Sequence, residues 1–476
     1  IDECTNPQTC DPAEACSHTP IACNTDSDCD DNLFSSTDMC IYPGAPESYC
    51  DYELRGGWVE YSPGSATYNS LSANPAEYAN SPSVAVDGNG YPVVAWHQKP
   101  PGHSTHKVFL KIWDGSEWVE LNGSGSGTGM SPPNAGSGQP SRYPSVAFDK
   151  DGNPIVSWTQ YDFYRPSDSQ GFIYVKKWNG AEWVEMGPGS ATGTGVLDDV
   201  TSGSPRLVTD EYGNPIIAWS RFSQVYNEGW NIYVKRWNGT EWEEMGAGSA
   251  TGAGLSQRQG YHYFPDIAFC PDGNPVITWG DSSSRFVSRV FVLKWDGASW
   301  TGLGGSAFDG ISDHVERNGT AYNASVECDS DNNPIVAWED LTDAPYYQVH
   351  VKRWTGSEWE LVTGTHGGAG NSYKKAIQNS FSRDPSIVLD FEGLPVVSFT
   401  SGEGQYGIYA RTLIGTDWLE KGENAATGDG LSAESGISTS SEMTTDSRGN
   451  PIVVYLCDYN NDSFREVCIR RWEPGY

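Results

Sequence analysis

One motif recurs seven times along this chain, and its last copy is incomplete. Two clear copies read YPSVAFDKDGNPIVSWTQ…FIYVKKWNGAEWVEMG and SPRLVTDEYGNPIIAWSR…NIYVKRWNGTEWEEMG. A turn proline marks each copy, at Pro92, Pro154, Pro215, Pro275, Pro334, Pro395 and Pro451, about 60 residues apart. The seventh copy stops at IRRWEPGY, before its GxxW segment. That segment stands ahead of the first copy, as LRGGWVEY from Leu54 to Tyr61, with Trp58 matching Trp118, Trp183 and Trp242. A repeat of this length, split between the two ends, predicts a closed ring of β-sheets.

Each copy holds four short β-rich runs, in the second copy PSVAFD, PIVSW, FIYVKKW and EWVEM. DKDGNP supplies turn residues between the first two. WNGAEW places the hairpin signal Asn-Gly between the last two. The predicted fold is all-β, a seven-bladed β-propeller of four-stranded antiparallel blades. The N-terminal strand with Trp58 closes the ring by pairing outermost beside the strand that ends in Trp472, which removes free sheet edges. The first strand of each copy is expected at the axis, where the small Ala85, Ala147 and Ala268 fit. The long loops then share one face, and binding residues on a rigid scaffold collect on such loops.

Residues 1–53 differ from the propeller at 54–476. They hold seven of the 11 cysteines, 12 acids and no Lys or Arg, the composition of a small disulfide-bonded extension from an oxidising compartment. A chain that begins with Ile and shows no signal peptide reads as a mature secreted protein, extracellular or at the cell surface. The net charge of −33 repels nucleic acid and anionic lipid. No apolar run is long enough to insert in a membrane. In NTDSDCDDN, Asp26, Asp28 and Asp30 stand at alternate positions with Asp38 nearby, oxygen ligands that suit calcium. A solvated acidic loop is the plainer reading.

The DxxGNPxVxW…VKxWNGxxW pattern resembles the repeat of secreted bacterial seven-bladed β-propellers. The resemblance runs from about Leu54 to Trp472 and implies the fold, not an activity. The WDGSEW hairpin, Trp113 to Trp118, also resembles the WDGxxW of fucose-binding propeller lectins. Asp26 to Asp38 resembles the short calcium repeats of thrombospondin-type segments.

Most recurring residues have a structural reading. Trp96, Trp158, Trp219, Trp279 and Trp338, and the Trp that ends each third strand, suit packing between blades. Lys111, Lys176, Lys235, Lys352, Arg411 and Arg470 are expected to pair across strands with acids such as Glu120, Glu185 and Glu244. Asp87, Asp149, Asp210, Asp329, Asp390 and Asp446 suit turns bonded to their own backbone. His97, His103 and His106 lie in or beside one long loop and offer three imidazoles, a weak zinc set with no visible second shell. Cys457 and Cys468 flank a hairpin and suit a disulfide. Cys270 and Cys328 read as buried thiols.

The non-recurring residues of the long-loop face include Tyr161, Tyr164, Arg165, Arg221, Asp340, Tyr346 and Glu403, which we take as candidate binding residues. The GSATGxG loops, as at Gly189 to Gly195, lean towards binding. The expected function is therefore a secreted, non-catalytic propeller that binds glycans or neighbouring protein subunits, as a lectin-like module or a structural subunit of a filament. The alternative is a glycoside hydrolase or lyase on the same scaffold.

Overall fold

The computed structural model describes residues 36–41, 49–54, 56–67, 70–72, 78–132, 139–162, 170–197, 202–223, 229–257, 260–284, 287–312, 321–341, 347–362, 382–402, 406–414, 417–422, 425, 430–432, 437–458 and 465–475. Each repeat forms one four-stranded antiparallel sheet, and seven such blades make the propeller. In blade two the strands are Ser141–Phe148, Pro154–Asp162, Gln170–Trp178 and Trp183–Glu185, in that order from the axis outward. Blade seven joins Thr439–Thr445, Pro451–Cys457 and Glu466–Glu473 to Gly57–Glu60 from the other end of the repeats. Trp58 stands opposite Trp472, the closure that the split repeat predicts. Ahead of the propeller, Ser36–Ile41 and Tyr49–Leu54 form a hairpin with Cys40 opposite Cys50, and Cys40 is buried and disulfide-bonded.

The recurring tryptophans hold blade to blade. Trp96, Trp158, Trp219, Trp279 and Trp338 are all buried. The fourth-strand indoles, Trp118 excepted, donate to a carbonyl of the preceding blade, as Trp183 does to Leu121 at 2.9 Å, Trp242 to Met186 at 2.9 Å and Trp359 to Leu303 at 2.9 Å. The same bond closes the ring, from Trp58 Nε1 to the Lys421 carbonyl at 2.6 Å. A buried indole needs such an acceptor.

The turn acids are structural too. Asp149 Oδ1 accepts from the amides of Asp151 at 2.9 Å and Asn153 at 2.8 Å, and Asp87, Asp210, Asp329, Asp390 and Asp446 repeat the pattern. The GSATG loops are also consumed internally. Glu185 accepts from the Gly189 and Ala191 amides and from the Thr192 hydroxyl, and Glu244 does the same for the next copy. Lys176 and Lys235 stand opposite these glutamates in register, but the carboxylates serve the loops. The lean of those loops towards binding is thereby removed.

Cys457 is bonded to Cys468, with Cα atoms 6.0 Å apart. Cys270 and Cys328 correct the expectation of buried thiols, because they too are bonded, across blades four and five. An offset of one residue between two repeats does not fix the distance across blades. Here the Cα atoms lie 5.0 Å apart, within disulfide reach. Among the described residues, no helix is long and apolar enough to cross a membrane.

Candidate active site

The seven inner strands line an axial channel of about 780 Å³. Each strand carries a bulge at the same height. There a residue other than glycine takes positive φ, between 46° and 56°: Ser81, Tyr143, Ser204, Phe264, Asn323, Asp384 and Ser440. A side chain in this region costs roughly 1–2 kcal/mol. Bulges of this kind re-aim side chains beside active sites. The seven residues form the channel mouth on the long-loop face.

Two rings of hydrogen bonds hold the bulges between blades. In the lower ring Ser83, Ser145, Asp266, Ser325, Ser386 and Glu442 each accept the amide of the next blade, as Leu207 N–H donates to Ser145 Oγ at 3.0 Å. Arg206 takes the remaining position and can only donate. It reaches across the channel to Glu442 and approaches Asp266 at 3.7 Å. Ion pairing and the amide ring thus use all three.

Glu327 lies lower in the channel and accepts the Cys328 amide at 3.0 Å. Burial, with Asp266 adding, pushes its carboxyl up to about 7. Its pKa in the unfolded chain is near 4.5, so between these values the folded protein holds a proton that the unfolded chain has lost. Stability should fall as pH rises through that window. Glu327→Gln removes the cost of ionisation. We expect it to match the parent near pH 4 and to melt higher near pH 8, measured by calorimetry.

In the upper ring the acceptors come from the second strands. Thr159 and Thr400 accept the amides of Ser204 and Ser440, each at 3.2 Å. Two blades replace the hydroxyl with a titratable group. His97 Nδ1 accepts the Tyr143 amide at 3.3 Å, and Glu339 Oε2 accepts the Asp384 amide at 3.0 Å. A ring that a threonine closes elsewhere does not need these groups, and each has ionisable neighbours.

The His97 group is the richer. His97 is buried, and its ring lies 5.4 Å from His106 and 5.5 Å from Tyr143. Arg142 Nη2 donates to His106 Nδ1 at 3.3 Å. Both Nδ1 atoms therefore accept, and both neutral rings carry their proton on Nε2. Burial first, then the neighbouring imidazole and Arg142, hold His97 well below its ordinary 6.5. Burial, Arg142 and Lys99 also lower His106. Tyr161 is half-buried, and burial with Tyr143 pushes its phenol up to about 12. Two neutral imidazoles and a guanidinium thus meet between blades one and two, with the protonated Tyr161 phenol on the blade-three side of Arg142.

The Glu339 group lies between blades five and six. Burial first, then Asp384, raises Glu339 to about 7. Burial also raises Asp384, whose Oδ1 accepts from Asn323 Nδ2 at 2.9 Å. Arg383 stacks on Tyr347 at 4.2 Å.

Of the candidates taken from sequence, Tyr161 lies within electrostatic reach of Arg142 and Tyr143, with its hydroxyl towards Gly203 of blade three. Asp340 is buried and accepts the Trp338 indole at 3.1 Å, the service Gln98 and Gln160 give Trp96 and Trp158. Arg221 stacks on Tyr233 at 4.2 Å. The structure therefore does not bring these three together. Tyr164, Arg165, Tyr346, Glu403, Asp26, Asp28 and Asp30 lie outside the described residues, and Asp38 lies in the first hairpin strand. Arg142 and Asp384 were not among the candidates, and His106 was considered only with His97 and His103 as a weak zinc set. The available signal was a titratable residue where other repeats carry Thr, Ser or Gly.

No family model and no curated protein sequence matches this chain. Among solved structures it is similar to a PL25 ulvan lyase bound to -[GlcA(1-4)Rha3S]-, at 9% identity and TM-score 0.50, over 83% of this chain and 93% of that one. A protein of unknown function from Dyadobacter fermentans shows 13% identity and TM-score 0.45, over 84% and 96%. An α-L-arabinofuranosidase from Fusarium graminearum shows 11% identity and TM-score 0.42, over 72% and 95%. Likeness at such identity establishes the propeller fold. The expectation of a non-catalytic binding or assembly propeller is nevertheless corrected. The similar propeller at TM-score 0.50 is a polysaccharide lyase, and the loops that suggested binding are used within the blades.

Proposed function

We propose that this protein is a polysaccharide-cleaving enzyme, working outside the cell as a lyase on uronate-containing chains. The observation that carries this reading is the His97–His106–Arg142 cluster beside the channel mouth, with Tyr161 within electrostatic reach of Arg142. A lyase must neutralise the uronate carboxylate, remove the proton on the adjacent ring carbon and protonate the departing glycosidic oxygen. Arg142 is placed to pair with the carboxylate. Drawn to it, the guanidinium leaves His106 Nδ1, and the freed lone pair takes the ring proton. The carbon–oxygen bond breaks as the new double bond forms. Tyr161, protonated at neutral pH, gives its proton to the leaving oxygen, which as an alkoxide is the stronger base. The proton on His106 then restores the phenol through solvent. His97, neutral, buried and fixed by the Tyr143 amide, packs against His106 and holds that ring in place.

The test is incubation with a panel of uronate polysaccharides, beginning with the polymer of the similar lyase. Each turnover should produce one unsaturated uronate, read by its ultraviolet absorbance. Glu339 supports a second reading as a glycoside hydrolase, since a carboxyl held at about 7 beside Asp384 suits a general acid. That enzyme would release saturated reducing ends and lose activity on Glu339→Gln. New reducing ends without absorbance would decide for it.

A further inference from the structure

Five aromatic side chains line the long-loop face of blades three and four. Phe222 and Trp230 lie 6.0 Å apart between ring centroids, Trp230 and Tyr263 5.7 Å, Tyr261 and Tyr263 6.1 Å, and Tyr263 and Phe264 6.0 Å. Tyr261 is 46% exposed and Phe264 52%. We propose that this strip is a sugar-binding platform that leads the polysaccharide chain to the Arg142 group. The ligand class rests on the lyase reading. The platform itself rests on its own observations.

The strip is not blade packing. Aromatic residues that pack blades recur from copy to copy and are buried, as Trp158 and Trp219 are. At the place of Phe264 the other blades carry Ser81, Tyr143, Ser204, Asn323, Asp384 and Ser440. A phenylalanine there is strained at φ 51° and half in water, so neither backbone preference nor burial accounts for it.

Its place in the ring points to the occupant. Residues just before the bulge share one height, and in blades two, three and four they are Arg142, Gly203 and Tyr263. Gly203 itself is buried, and it carries no side chain between Arg142 and Tyr263. A Cβ there would stand 3.7 Å from the Tyr161 hydroxyl, so the Tyr161 phenol fills this position and stands between the Arg142 blade and the platform. Sugar rings offer C–H faces that lie on aromatic planes and hydroxyls that reach tyrosine edges. The protein's charge of −33 gives an anionic polymer no long-range attraction, so contact must supply the affinity.

The test is the double variant Tyr261→Ala/Phe264→Asn, in which asparagine tolerates the left-handed backbone. Affinity electrophoresis through gels containing each polysaccharide of the panel reads binding, and steady-state kinetics reads KM against kcat. We expect polymer affinity to fall about tenfold and KM to rise to match, with kcat within about twofold. Higher salt should strengthen binding by the parent. Retention separates this proposal from the lyase reading. If nothing is cleaved, a parent retained more strongly than the double variant still supports the platform. Equal retention of the two proteins overturns it even where cleavage is intact, and so does no retention of either. A change of sedimentation from dimer to monomer in the variant, with retention unchanged, would assign the strip to a second copy of this chain instead.

Discussion

His106→Ala and Tyr161→Phe should each lower kcat on a cleaved polysaccharide by about 10²–10⁴-fold, the range for a positioned general base or acid. Each should leave the melting temperature within a few degrees, since neither side chain is in the blade core. The pH profile gives the sharper check. His106 acts as a base only when neutral. Burial and the charge of Arg142 lower its pKa below 6.5, so the rate should hold from neutral into mildly acid solution and fall below that. Arg142→Ala removes one of the two charges that lower it. Its residual activity should show the acid limb moved up, towards 6.5. Tyr161, held near 12, predicts no loss on the alkaline side of an ordinary assay range. A cleaving enzyme whose rate is untouched by both substitutions would exclude this group from the chemistry.

The propeller was legible because its signals repeat. Seven turn prolines, the alternating third strands and the displaced Trp58 segment all describe one blade, and such agreement across levels specifies a fold. The same logic sorted the recurring residues. The tryptophans and turn aspartates have the roles that recurrence implied, because a residue needed in every blade is needed by the blade. Asp340 shows where this fails. It looks like a free loop acid, yet it serves the Trp338 indole as glutamine does in blades one and two.

The site was hidden because it is built from exceptions in the register of the repeat. His97 and Glu339 occupy a place that Thr159 and Thr400 fill with a hydroxyl, and Arg206 replaces a serine or acid of the lower ring. Reading them requires knowing which position of each inner and second strand faces the channel mouth. The bulges obscure this, since each shifts the pairing register partway along the strand. His97 and His106 were visible only as loop histidines. Their partners Arg142 and Tyr143 belong to the next blade, and the periodicity of a single copy does not show which side chains meet across a blade boundary.

Loss of the closing strand should be the largest stability effect. Trp58 packs edge-on against Trp472 at 5.9 Å, and Trp472 in turn lies against a buried ion pair, Lys421 with Asp390 at 2.7 Å, both fully shielded from water. Its indole bonds the carbonyl of that same lysine, and Lys421 Nζ sits 5.1 Å from the Trp472 ring. Trp58→Ala therefore removes a large side chain, orphans the Lys421 carbonyl and loosens the Trp472 ring that shields the pair, at a cost of about 3 kcal/mol or more. Trp359→Ala is the control, because it removes the equivalent indole from a blade whose fourth strand is continuous with its third. The Trp58 variant should melt lower than that control. Its strand is held by pairing along only four residues and is free to leave the sheet as a unit. Deletion of residues 54–61 goes further and leaves Glu466–Glu473 as an open edge, a template for pairing with another chain. Calorimetry and light scattering should then show a lower transition and concentration-dependent association. A deletion protein that stays monomeric and melts with the parent would mean that blade seven is stable without its borrowed strand.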